Sequence, residues 1–174
     1  DGKTVYLGTG NRARIYKVPS DVESTTAEAV VFADLDGNAV YAMTEGKDGL
    51  LYAAVSPGGN VYKIGADGAV TLVGDTGRTY IWAMAFDAEG NLVLATGDKG
   101  ELVRLGMDGK SEKILTTEEK HILSLVRDDA GNLFFGTAPN GWVCLLKTNG
   151  DFVVLYDSEL SEVKALALDD GKNL

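Results

Sequence analysis

The chain has 174 residues, 45% of them hydrophobic, enough for a sizeable core. Its formal net charge of −10 repels phosphate backbones and excludes nucleic acid as a partner, and no apolar run approaches the roughly 18 residues of a membrane helix. Gly is abundant (22) and Pro scarce (3), a composition suited to many tight turns between short strands.

In chain order, alternating runs at residues 3–9, 13–18 and 27–33 predict three strands. Gly49-Leu50-Leu51-Tyr52-Ala53-Ala54-Val55 then aligns with residues 2–9, with Gly90-Asn91-Leu92-Val93-Leu94-Ala95-Thr96 and with Gly131-Asn132-Leu133-Phe134-Phe135-Gly136-Thr137. Repeats therefore start near 2, 49, 90 and 131, and a truncated one starts at Gly171, a period of about 41 residues. The unit starting with strand 81–86 shows the pattern. It continues with strands at 92–96, 101–105 and 111–115, and Gly, Asp and Asn occupy each bend. Residues 116–121 could hold a turn of helix but read better as a loop.

Four short strands per 40–45 residues define a β-propeller blade. The fold class is all-β: four blades of four antiparallel strands (a to d) in one propeller unit spanning 1–174. Strands b, c and d stand at the N-terminus, and a lone strand a at 163–168 could complete the first blade. The a strands align so that Ala42, Ala83, Ser124 and Ala165 form a column of small residues, expected where blades crowd the axis.

An open four-blade arc leaves an apolar face at each end. At roughly 500 Å² per face and ~25 cal/mol per Å², each leaves ~12 kcal/mol unrealised. That is comparable to the whole stability of a domain, ~5–15 kcal/mol. Three solutions stay open: two copies pair head to tail into an eight-bladed ring, the chain is part of a longer propeller, or four blades close alone.

The units Asp87-Ala88-Glu89-Gly90-Asn91-Leu92 and Asp129-Ala130-Gly131-Asn132-Leu133 resemble the blades of NHL-like, virginiamycin B lyase-like and gluconolactonase-like propellers. The likeness is greatest to bacterial propeller repeats of the GNLYxGTxxxGxVYRI kind, whose second half is matched by Asn60-Val61-Tyr62-Lys63-Ile64. It covers the chain as repeats and implies a propeller; export to the periplasm or outside the cell is implied by this resemblance alone. WD, kelch and S-x-D-x-G-x-x-W signatures are missing.

A lyase of the virginiamycin type would use a histidine base; His121 is the single histidine, so that family's wider catalytic set does not carry over. A gluconolactonase-like centre would gather oxygen ligands on a divalent metal. Of the candidates Asn38, Tyr80, His121 and Glu162, only Asn38 and Glu162 are good hard-metal ligands. Asp34-Leu35-Asp36-Gly37-Asn38 begins like a calcium loop but lacks the downstream bidentate Glu. The recurrent Asp-x-x-Gly-Asn reads as a turn device. Cys144, the one cysteine, lies in an apolar strand pattern and reads as a core thiol.

The leading expectation is a non-catalytic scaffold with no cofactor and no metal, binding an unknown ligand or protein at its axial face. The expected contact residues are Arg78, Tyr80, His121 and Glu162 from the d–a loops. Asn11, Arg12, Pro57, Asp98, Pro139 and Asn140 add to them from the b–c turns. The alternative is a metal-dependent lactonase- or lyase-like enzyme.

Overall fold

A computed structural model of the chain describes residues 4–19, 28–169 and 174, and every regular element among them is a strand. The first sheet holds β1 (Thr4–Gly8), β2 (Arg14–Pro19) and β3 (Val30–Asp34). The second holds β4 (Ala39–Glu45), β5 (Leu51–Ser56), β6 (Asn60–Ile64) and β7 (Val70–Asp75). The third holds β8 (Ile81–Phe86), β9 (Leu92–Thr96), β10 (Glu101–Leu105) and β11 (Ser111–Thr116). The fourth holds β12 (His121–Arg127), β13 (Leu133–Ala138), β14 (Trp142–Leu146) and β15 (Phe152–Asp157). Each sheet is an antiparallel meander in chain order, and the four are propeller blades. Among the described residues the first has strands b, c and d, as its sequence predicts.

Alternation along the strands gives each blade two apolar faces, one toward the preceding blade (rear) and one toward the following blade (forward). The three resulting cores interlock. Ile15 and Ala33 of the first blade meet Ala53, Val55 and Ile64 of the second. Tyr52, Ala54 and Val61 on the second blade's forward face meet Leu92, Leu94 and Leu105 of the third. Val93, Ala95 and Leu102 meet Leu133, Phe135 and Cys144 of the fourth. The a strands stack β4 on β8 and β8 on β12, so they line the inside of the arc.

Close approach decides two glycines. A Cβ on Gly8 would lie 2.9 Å from Cγ1 of Val40, and one on Gly136 would collide with Val163. Val163 thus sits on the fourth blade as Val40 sits on the first, and its N–H donates to the Thr137 carbonyl (3.0 Å) as that of Val40 does to Thr9 (3.0 Å). Residues 163–168 follow the path of strand a without forming a ladder. Among the described residues no pairing joins the segment to β1, so the expected completion of the first blade is not observed. The truncated repeat at 171 and part of the run at 27–33 lie outside the described residues.

The Asp-x-x-Gly-Asn units close the a–b hairpins. Asp87 and Asp128 each accept the amide of the Asn four residues on (2.8 Å in both), while Gly90 and Gly131 take the left-handed conformation. Asp87 also accepts Arg104 Nε (2.9 Å), whose guanidinium reaches Glu112 (2.8 Å). Burial opposes the Asp87 charge, but hydrogen bonds from Asn91 and Arg104 outweigh it and hold the carboxyl below its ordinary value of 3.8. A depressed folded-state pKa stabilises the fold above the unfolded value, and this contribution is lost as pH falls through the folded value. Asp87→Ala should therefore cost about 1–3 kcal/mol near neutral pH. The deficit should shrink below the ordinary carboxylate value, as read by urea unfolding across acidic pH.

Candidate functional site

The a strands carry a feature that alternation alone does not reveal. Val40 pairs with Val55 and Ala42 with Ala54; Ile81 pairs with Thr96 and Ala83 with Ala95; Ile122 pairs with Thr137 and Ser124 with Gly136. Tyr41, Trp82 and Leu123 are the extra residues, one β-bulge per a strand. A bulge leaves its extra residue unpaired and re-aims the side chain. Of the small column, Ala42 and Ser124 are buried beside these bulges, whereas Ala83 is half-buried and Ala165 is exposed.

Three of the aromatic side chains near the inner wall form one group with the histidine. Tyr80 stacks on Trp82 (centroids 5.0 Å, 7° between planes), Tyr41 leans on Trp82 (5.1 Å, 55°) and His121 meets the Trp82 edge (6.0 Å, 74°). Tyr41 is exposed, and Tyr80, Trp82 and His121 are half-buried. The b–c turn of the third blade closes over the group. The Gly97 N–H donates to the Tyr80 carbonyl (3.0 Å), and the Asp98 N–H donates to His121 Nδ1 (3.4 Å). An accepting Nδ1 places the proton of the neutral ring on Nε2. A Cβ on Gly97 would lie 2.6 Å from Trp82 Nε1 and 2.9 Å from His121 Nδ1, so this turn needs glycine. Trp82 Nε1 is a buried donor with no partner among the described residues.

The structure brings together Tyr80 and His121 of the four expected contact residues and leaves Arg78 and Glu162 out. Arg78 Nε is held by Glu101 (2.7 Å) and its Nη1 by the Thr76 carbonyl (3.0 Å), so this guanidinium braces a d–a loop against a b–c turn. Glu162 is paired with Lys164 (2.8 Å). The buried Glu119, missed in the sequence, does a similar bracing task. It accepts the Thr137 hydroxyl (3.0 Å), the Asn140 amide (2.8 Å) and Asn140 Nδ2 (2.6 Å), which commits Asn140 to the scaffold. Asp34, from the calcium-like run, is paired with Arg14 (2.9 Å). Among the described residues no three His, Cys, Asp or Glu side chains converge as a metal site.

A second concavity of about 960 Å³ opens between the third and fourth blades, over Val93, Ile114, Leu133 and Leu146. At the repeat position of Tyr52 and Phe134 the third blade has Val93, and the smaller side chain leaves this space unfilled.

No family model matches the chain, and no curated protein matches it in sequence. Solved structures do match in shape. A chain of the nidogen–laminin complex superposes with a TM-score of 0.77 at 16% identity, over 94% of this chain and 66% of that one. The Agrobacterium tumefaciens calcium-binding protein regucalcin gives 0.73 at 16% identity, over 95% and 60%. Virginiamycin B lyase from Staphylococcus aureus gives 0.65 at 13% identity, over 88% and 55%. These likenesses define the class as a β-propeller, with structural neighbours in the groups that the repeats resemble. The chain spans about half to two-thirds of the length of these neighbours.

Burial pushes the Cys144 thiol up to about 12, with the Glu119 charge adding to the effect. Cys144 should therefore resist a disulfide reagent at pH 8 in the folded protein and react only when denaturant is added, which an absorbance assay of thiol release reads directly.

Proposed function

We propose that this protein is a non-catalytic propeller scaffold that binds its ligand or protein partner at the axial face, through Tyr41, Tyr80 and Trp82 beside His121. One observation carries this reading: successive inner strands each have a bulge, and two of the three bulged residues are aromatic. Aromatic side chains offer large apolar area with little rotamer entropy to lose, which suits recognition. The ring nitrogen of His121 that is not engaged by Asp98 supplies direction. Protein binding within the same fold has a precedent in the nidogen–laminin complex.

The rest of the expected contact set lies outside this aromatic group. Arg78 and Glu162 are engaged in internal ion pairs, and His121 faces aromatic rings and a backbone amide. A lactonase- or lyase-like reading requires acidic or histidine ligands around the axis, and the described residues do not assemble them.

Ligand-observed NMR with a panel of small aromatic and sugar compounds, run on the wild type and on Trp82→Ala and Tyr41→Ala, tests the proposal. Compounds that bind the wild type should lose at least ~10-fold in affinity on either substitution. Binding that ignores both substitutions, or saturable calcium binding with turnover of a lactone, would count against the scaffold reading.

A further inference from the structure

The three blade contacts repeat one arrangement, and the third leaves part of it empty. On the b and c strands Tyr6 pairs with Lys17, Tyr52 with Lys63 and Val93 with Arg104, at equivalent places in the repeat. In the first contact Tyr6 leans on Phe32 (centroids 5.1 Å), and Lys17 Nζ lies 5.8 Å from the Phe32 centroid. In the second the Tyr52 ring meets Phe86 edge-on (5.0 Å), and Lys63 Nζ lies 5.7 Å from the Tyr52 centroid. The Tyr52 hydroxyl donates to Asp48 Oδ2 in the a–b turn (3.0 Å). Each contact thus holds aromatic rings beside a cation.

The third contact keeps the cation and loses the rings. Val93 takes the place of Tyr6 and Tyr52. Ile114 is the bulged d-strand residue where the first blade has Phe32, and Arg127 pairs with Leu133 as Phe86 pairs with Leu92. The concavity of about 960 Å³ lies here, with the buried Val93 at its base. Interior faces of sheets normally pack without voids of this size. Both bounding blades are complete four-stranded sheets, so the space belongs to the contact itself.

Two polar groups on its wall match those around Tyr52. Glu89 stands at the repeat position of Asp48 and lines the cavity. Arg104 lines it too, with Nε bonded to Asp87 (2.9 Å) and Nη1 to Glu112 (2.8 Å). Guanidinium N–H bonds lie in the plane of the group, so these two partners fix its orientation and leave its faces for stacking on a ring.

We propose that this cavity binds a small phenol. Its ring takes the place that the Tyr52 ring has in the second contact, stacked on Arg104, and its hydroxyl donates to Glu89. The volume falls within the ~300–1,000 Å³ of small-molecule sites, and Ile114, Leu133 and Leu146 give an apolar wall to the rest of the ligand. The site is separate from the aromatic group on the inner wall and does not depend on it.

Proton–nitrogen correlation NMR on the full chain, with phenol as the probe, tests this. Phenol should cause saturable shifts in the amides of residues 88–91, 104–106 and 131–133. Cyclohexanol, of similar size without the aromatic face, should bind at least ~3-fold more weakly. Val93→Tyr and Ile114→Phe each restore the residue of an earlier contact, and each should weaken phenol binding at least ~10-fold by filling the space. Circular dichroism checks that both are folded, and one serves should the other lose its sheet signal. Trp82→Ala should leave the shifts in place, which tells this site apart from the inner wall. The proposal is overturned by an absence of saturable shifts at the cavity, by binding that survives the filling substitutions, by cyclohexanol binding as tightly as phenol, or by loss of the shifts in Trp82→Ala. Binding of glycyl-tyrosyl-glycine at least ~10-fold tighter than phenol would overturn the assignment to a free small molecule in favour of a partner chain's tyrosine.

Discussion

Every sheet in this protein depends on burial from both sides. A twisted four-stranded sheet with apolar residues on alternating faces has no stable state as a single layer in water. The three shared cores supply that burial between neighbours, and each mixes residues about 41 positions apart in sequence. The consequence is quasi-one-dimensional: a blade is supported by its neighbours and by little else.

Polar chemistry in the structure mostly serves this stacking. Asp87 and Asp128 pin the a–b hairpins, Arg104 ties a hairpin to the outer strand, and Glu119 holds the d–a loop against Asn140. These groups fix the loops at the two ends of each blade. Only with the loops fixed can a bulge on the inner strand present Tyr41 and Trp82 in a constant geometry. The aromatic group on the inner wall is thus a product of the scaffold, and Arg78 and Glu162 near it are engaged in ion pairs within the chain.

Much of the architecture was legible from spacing. Strands 81–86, 92–96 and 101–105 were read at their observed bounds because turn residues punctuate the alternation on both sides. Residues 163–168, expected as a strand that could close the first blade, form no ladder among the described residues, since alternation predicts extended backbone and says nothing about which edge is within reach. Half of the expected contact set came together. Tyr80 and His121 meet around Trp82, whereas Arg78 found Glu101, a partner 23 residues away in sequence. Tyr41 and Trp82 were missed because a bulge is a change of register between two strands, and a single strand carries no record of it.

The amino-acid sequence determined the repeat, the strand and turn order and the apolar character of both blade faces, because these follow from side-chain period and turn chemistry within about ten residues. Tertiary structure alone decided which side chains leave the ladder at the inner wall and which charges are already paired. Those outcomes depend on register and on contacts between units, and such long-range geometry is written in no single segment of the chain.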